Sequence, residues 1–150
     1  IRITIIIILV SLMGGCGYKI VNVEKNFFIK DIKISGNERY FNKLENELKR
    51  NNDVSSKNIL SISISNEINK NSKNKLKTGK ITSYEIVVQT TLDIEIVNTS
   101  KKITKKFTRS SDFAVGTYHS DTITNEKRVM TQLIENISSQ ITQYLKLKFQ

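Results

Sequence analysis

The chain has 150 residues, with 24 Lys and Arg against 14 Asp and Glu, one His, one Cys and a formal net charge of +10. That length holds one domain of ordinary size, and a single Cys and single His exclude an internal disulfide and a zinc cluster built from those residues. The positive balance favours anionic partners such as nucleic acid, phospholipid head groups or lipopolysaccharide phosphates, although heavy use of Asn, Lys, Ile and Ser is also what AT-rich coding produces.

Residues 3–13 form an apolar run broken only by Thr4 and Ser11, with Arg2 the one charge before it. A spanning helix needs about 20 apolar residues, so this run is too short to cross a bilayer. It has the length of a signal-peptide apolar region, roughly 7 to 15 residues. The chain begins at Ile1, so part of a basic leading region is expected upstream. Gly14 and Gly15 suit a peptidase that needs slim side chains beside the scissile bond. The pattern Leu12-Met13-Gly14-Gly15-Cys16 resembles a bacterial lipobox, with Met13 where Leu is usual. In such signals the Cys thiol is diacylated before cleavage and the new amino terminus is then acylated. The resemblance makes residues 1–15 a lipoprotein signal peptide, Cys16 the lipid attachment, and residues 16–26 a lipidated tether. The alternative is an ordinary secretory signal followed by a buried Cys. One acyl chain binds a membrane marginally, whereas two or more hold stably. Gly17 stands where, in enteric bacteria, an Asp often marks retention at the inner membrane, which points to the outer membrane. Export argues against nucleic acid.

The domain is expected over residues 27–150. A strand is predicted over 27–34, with Phe28, Ile32 and Ile34 on one face and Lys30 interrupting the alternation. Ser35-Gly36-Asn37 signals a turn. Tyr40, Phe41, Leu44 and Leu48 then recur at helical spacing, which predicts an amphipathic helix over 38–50, stopped by Asn51-Asn52-Asp53. Leu60, Ile62, Ile64 and Ile68 alternate with Ser61, Ser63, Ser65 and Glu67 as a half-buried strand. Residues 69–80 carry Lys70, Lys73, Lys75, Lys77 and Lys80 with no acid and are expected to be a loop. The strongest strand follows, with Tyr84, Ile86, Val88, Thr90, Leu92, Ile94 and Ile96 on one face and Glu85, Gln89, Thr91, Asp93 and Glu95 on the other. Asn98-Thr99-Ser100 turns the chain into a return strand marked by Ile103, Phe107 and Phe113, an antiparallel hairpin. A loop with Gly116, Tyr118, His119 and Asp121 leads to a helix over 122–149. Its stripe is Ile123, Met130, Leu133, Ile134, Ile137, Ile141, Tyr144 and Leu145. Each element is apolar on one face only. The expected architecture is therefore α+β: a two-layer sandwich, two helices on one face of a four-stranded mixed sheet, in the order β-α-β-β-β-α.

No HExxH, GxSxG or glycine-rich phosphate loop occurs. His119 beside Ser120 and Asp121 reads as a surface histidine, since residues one or two apart in a loop seldom converge on a substrate. Glu85, Asp93 and Glu95 read as a solvated sheet face rather than an acid–base pair. No catalytic residue, metal or cofactor is expected. The lysines between 70 and 80 repel one another and gain little within a fold. They are either a solvated loop or an anion-binding loop that offers point charges to phosphates. In both readings, Gln at all five positions is expected to leave thermal stability nearly unchanged.

These features together resemble the LPS-assembly lipoprotein family, LptE. The resemblance begins at Gly15-Cys16-Gly17-Tyr18, continues through residues 84–94 (YEIVVQTTLDI) as the family's central strand and a return strand ending in Phe113-Ala114-Val115, and closes in the helix carrying Glu126, Leu133, Ile137, Ile141 and Leu145. It implies a non-enzymatic lipoprotein, lipid-anchored on the periplasmic side of the outer membrane. Such a protein plugs and supports assembly of the LptD β-barrel and contacts lipopolysaccharide in transit. Only Cys16 carries over residue by residue; Lys70, Lys73, Lys75, Lys77 and Lys80 rest on charge. The competing reading is another lipid-anchored periplasmic accessory, serving a phospholipid transporter or a secretin.

Overall fold

A computed structural model describes residues 27–36, 38–50 and 56–149. Cys16, the signal peptide, the tether and the helix stop at Asn51-Asn52-Asp53 lie outside the described residues. The elements run β1 (Phe27–Ser35), α1 (Glu38–Arg50), β2 (Asn58–Lys75), β3 (Ile81–Ile96), β4 (Lys101–Ala114) and α2 (His119–Lys148). This is the expected α+β order, and the strands form one sheet in the order β1-β2-β3-β4. β1 pairs parallel to β2, and β3 pairs antiparallel to both β2 and β4.

The alternation in β3 decides which face is buried. Ile86, Val88, Thr90, Leu92 and Ile94 are shut from solvent, and so are Leu60, Ile62 and Ile64 in β2. Both helices cover this face. α1 contributes Phe41, Leu44 and Leu48; α2 contributes Val129, Met130, Leu133, Ile134, Ile137, Ile141 and Leu145. A Lys43–Glu135 pair at 3.0 Å links the two helices at the surface. Ile123, expected on the stripe, is 39% exposed; the buried stripe of α2 begins at Val129.

β1 departs from the predicted alternation. Phe27 and Ile29 are buried, whereas Phe28 is half-buried. The register passes from Ile29–Leu60 to Asp31–Ser61, leaving Lys30 as an extra residue. That β-bulge returns Ile32 and Ile34 to the core face and explains the interruption at Lys30. The turn after β1 is then fixed against β2. Gly36 has φ +96°, and a Cβ there would lie 2.3 Å from the Asn66 carbonyl oxygen. The Asn66 side chain donates to Ser35 O at 2.8 Å. Only glycine allows this approach.

The main correction concerns residues 69–75, expected as loop. They are strand: β2 has 18 residues and continues beside β3 to Lys75, with register irregularities around Ser72, Asn74 and Lys75. At about 3.3 Å per residue β2 spans roughly 60 Å, and α2, with 30 residues, about 45 Å. β1 pairs only with residues 58–65 of β2. Beyond that point β2, β3 and β4 continue as an arm whose tip is the turn over residues 76–80. The Leu76 N–H donates to Lys80 O at 2.8 Å there, and the Gly79 N–H to Leu76 O at 2.9 Å.

Candidate functional site

The arm separates the five lysines. Lys70 faces Ile86 in register and so lies on the helix-covered side. Its Nζ donates to Glu126 of α2 at 2.5 Å and stands 4.6 Å from the Tyr84 ring centroid and 5.3 Å from that of Phe113. Tyr84 and Phe113 stack at 5.5 Å across β3 and β4. A cation over two ring faces, paired at once with a carboxylate, fastens the start of α2 to the arm. Lys70 is therefore a structural residue, which removes it from the freely presented set.

Lys73 sits at the register irregularity in β2 and reaches across β3 to Asp112 of β4, 2.5 Å away on the open face. The Asp112 hydrogen bond raises its ammonium pKa above the ordinary 10.5, with Asp112 and Glu85 charges adding to it and desolvation opposing. A raised lysine pKa means that the pairing is complete at neutral pH and is lost only as pH climbs past that value. Lys75 ends β2, while Lys77 and Lys80 lie in the tip turn. All three are exposed, and among the described residues no carboxylate pairs with them. Leu76, 54% exposed, lies between them. The anion-binding candidates thus contract to three cations around one apolar side chain.

The face without helices carries Ser61, Ser63, Ser65, Glu67, Asn69 and Asn71 from β2, in register with Glu95, Asp93, Thr91, Gln89, Val87 and Glu85 from β3. Thr104 of β4 donates to Asp93 at 2.5 Å. A shallow groove runs over this face, lined by Ser61, Ser63, Asp93, Glu95, Lys102 and Thr104. Glu85 stands eight residues from Asp93, about 26 Å along the strand, so these two carboxylates do not face one substrate bond.

His119 and Ser120 are exposed at the start of α2. Asp121 Oδ2 accepts the Tyr118 N–H at 3.2 Å, the return contact of a capping box, and its charge lies in the positive first turn. The Thr122 hydroxyl accepts the Gly116 N–H at 2.9 Å. Among the described residues no group of His, Cys, Asp and Glu is spaced to hold a metal.

One feature escaped the sequence reading. β4 presents Lys101, Lys102, Lys105, Lys106 and Arg109, and α2 ends in Lys146-Leu147-Lys148. Lys105, Lys106, Arg109, Tyr144 and Leu147 line one open groove between the β4 edge and α2. Lys105 lies 6.0 Å above the Tyr144 ring, and the Arg109 guanidinium donates to the Gln140 amide oxygen in its hydrogen-bonding orientation. The signal was the absence of any acid from 101 to 111 beside a helix without one after Glu135.

Among solved structures the fold is similar to rare lipoprotein B from Shewanella oneidensis, with a TM-score of 0.53 and 11% identity over 79% of this chain and 92% of that one. It is similar to lipoprotein B from Nitrosomonas europaea, with a TM-score of 0.55 and 14% identity over 89% and 91%. A minor lipoprotein from Acinetobacter baumannii gives a TM-score of 0.51 and 17% identity over 83% and 94%. At these identities the likeness is one of fold. No family model and no curated protein matches the chain.

Proposed function

We propose that the chain is a non-enzymatic lipoprotein of the outer membrane, anchored on its periplasmic side through Cys16. In this reading it plugs and supports assembly of an LptD-type β-barrel and contacts lipopolysaccharide during export. The observation that supports it most is the fold, shared along most of the chain with proteins described as rare lipoprotein B and lipoprotein B. In the sequence that fold follows an apolar segment and Leu12-Met13-Gly14-Gly15, with Cys16 next, read here as the end of a leader and the lipid attachment. A sheet face of hydroxyls, amides and carboxylates suits a water-lined lumen. Lys75, Lys77 and Lys80 offer ammonium groups to phosphate at the arm's tip.

The test is gentle solubilisation of membranes and capture of the chain. A barrel protein co-purifying in roughly equal amount, and arrest of lipopolysaccharide export on depletion, are the expected results. A clean monomer together with intact export on depletion refutes the proposal and leaves the phospholipid-transport or secretin accessory role.

A further inference from the structure

We propose that the β4 edge and the last turns of α2 form a second surface, one that rests on an anionic phospholipid bilayer with Leu147 inserted among the head groups. Two elements of opposite direction bring Lys105, Lys106 and Arg109 against Tyr144 and Leu147, with Lys101 farther along the same face of β4 and Lys146 and Lys148 on either side of Leu147. Neither contributes a carboxylate over 101–111 or 136–149. The closest acids across the sheet are Asp93 and Glu95 on β3; Asp93 accepts the Thr104 hydroxyl, and Glu95 faces Lys102 in register. Uncompensated like charges on one surface repel one another and attract anions.

The apolar residues identify the kind of anion. Leu147 is 62% exposed between two lysines, and the half-buried Tyr144 ring stands in the same groove. An apolar residue flanked by cations, with an amphipathic ring beside it, suits the boundary between head groups and acyl chains. A soluble polyanion gives Leu147 nothing to contact.

The position of the surface agrees. The Phe27 ring, where the described domain begins, lies 6.2 Å from that of Phe149, two residues beyond Leu147. The eleven residues from Cys16 to Phe27 reach at most about 38 Å, so a lipid on Cys16 places its membrane within range of this end. That geometry rests on the anchor reading, whereas the binding itself does not.

The chain has no Trp, so Leu147→Trp and Leu76→Trp each introduce a single tryptophan that can be excited selectively, at this surface and at the arm's tip. The full-length variants are mixed with vesicles of brominated phosphatidylcholine, with and without phosphatidylglycerol; the leader gives both the same background. Leu147→Trp should shift to the blue and be quenched only when phosphatidylglycerol is present, with Leu76→Trp unaffected. Each cation near an anionic surface contributes about a fivefold factor. Adding Lys105→Gln, Lys106→Gln and Arg109→Gln should therefore lower partitioning at least tenfold. Absent quenching, equal quenching at both sites, or equal quenching by neutral vesicles overturns the proposal. So does a response to lipopolysaccharide micelles alone. Failure of the anchor reading would appear separately, as an unmodified Cys16 in the mass spectrum of membrane-purified protein.

Discussion

Lys70 provides a sharp test of how the arm is held. Lys70→Met keeps most of the aliphatic stem against Tyr84 and Phe113 but removes the charge that meets both rings and Glu126. With the lysine and glutamate side chains 37% and 31% exposed, the ion pair belongs in the range of exposed pairs, about 0.2–1 kcal/mol. The cation over the rings adds about 0.5–1 kcal/mol. The expected loss is about 1 kcal/mol, which for a domain of this size lowers Tm by about 3–5 °C. The assay is thermal unfolding at low and at molar salt, with the exposed tip residue changed by Lys77→Met as control. The control should stay within about 0.3 kcal/mol of wild type, and the Lys70→Met deficit should narrow at high salt as the ion pair is screened. Glu126→Gln should cost a similar amount, and the double variant less than the two losses summed. A Lys70→Met protein that melts with wild type would refute the clamp and return Lys70 to the freely presented cations.

Gly36→Ala should destabilise by about 2–3 kcal/mol, since an alanine must adopt positive φ and press its Cβ into Asn66; denaturant unfolding measures it. Thr90 is fully buried and its hydroxyl has no partner among the described residues, so Thr90→Val should stabilise by about 1 kcal/mol in the same assay. Combined Lys75→Gln, Lys77→Gln and Lys80→Gln changes should weaken lipopolysaccharide binding and flatten its salt dependence with Tm unchanged; equal binding by variant and wild type would make the tip a solvated turn. Extending the change to Lys70 and Lys73 should lower Tm as well, because both are paired.

The contrast between three tip lysines and five marks where periodicity stops being informative. β3 was legible because its apolar residues recur at every second position from Tyr84 to Ile96, and burial alternates with them from Ile86 to Ile94. Residues 69–75 read as loop because Asn, Lys and Ser have low strand propensity and no apolar face. They are extended because the strong strand over 81–87 supplies their hydrogen-bond partners, so the partner's sequence decides their conformation. Pairing of Lys70 with Glu126, 56 residues away, has no local signature. The β4 patch was hidden as well. Ile103, Phe107 and Phe113 mark that strand, but nothing local tells that its cations lie beside the end of α2, which only the packing reveals. In β1 the interruption at Lys30 was visible, but which residues lay inward depended on a bulge that only pairing with β2 reveals.

β2 reaches well past the core that it helps to build. A membrane with its head-group layers is about 40–45 Å thick. β2 alone runs roughly 60 Å from beside Phe27 to Lys75. Under the barrel proposal, held at the Phe27 end against one leaflet and directed along the barrel axis, β2 as a whole, its core half and the arm together, is longer than the bilayer is deep. One rigid element could then present Lys75, Lys77 and Lys80 at the opposite rim without any conformational change. In that arrangement, shortening β2 and β3 by matched pairs of residues would withdraw the charged tip by about 7 Å per step while leaving the core untouched.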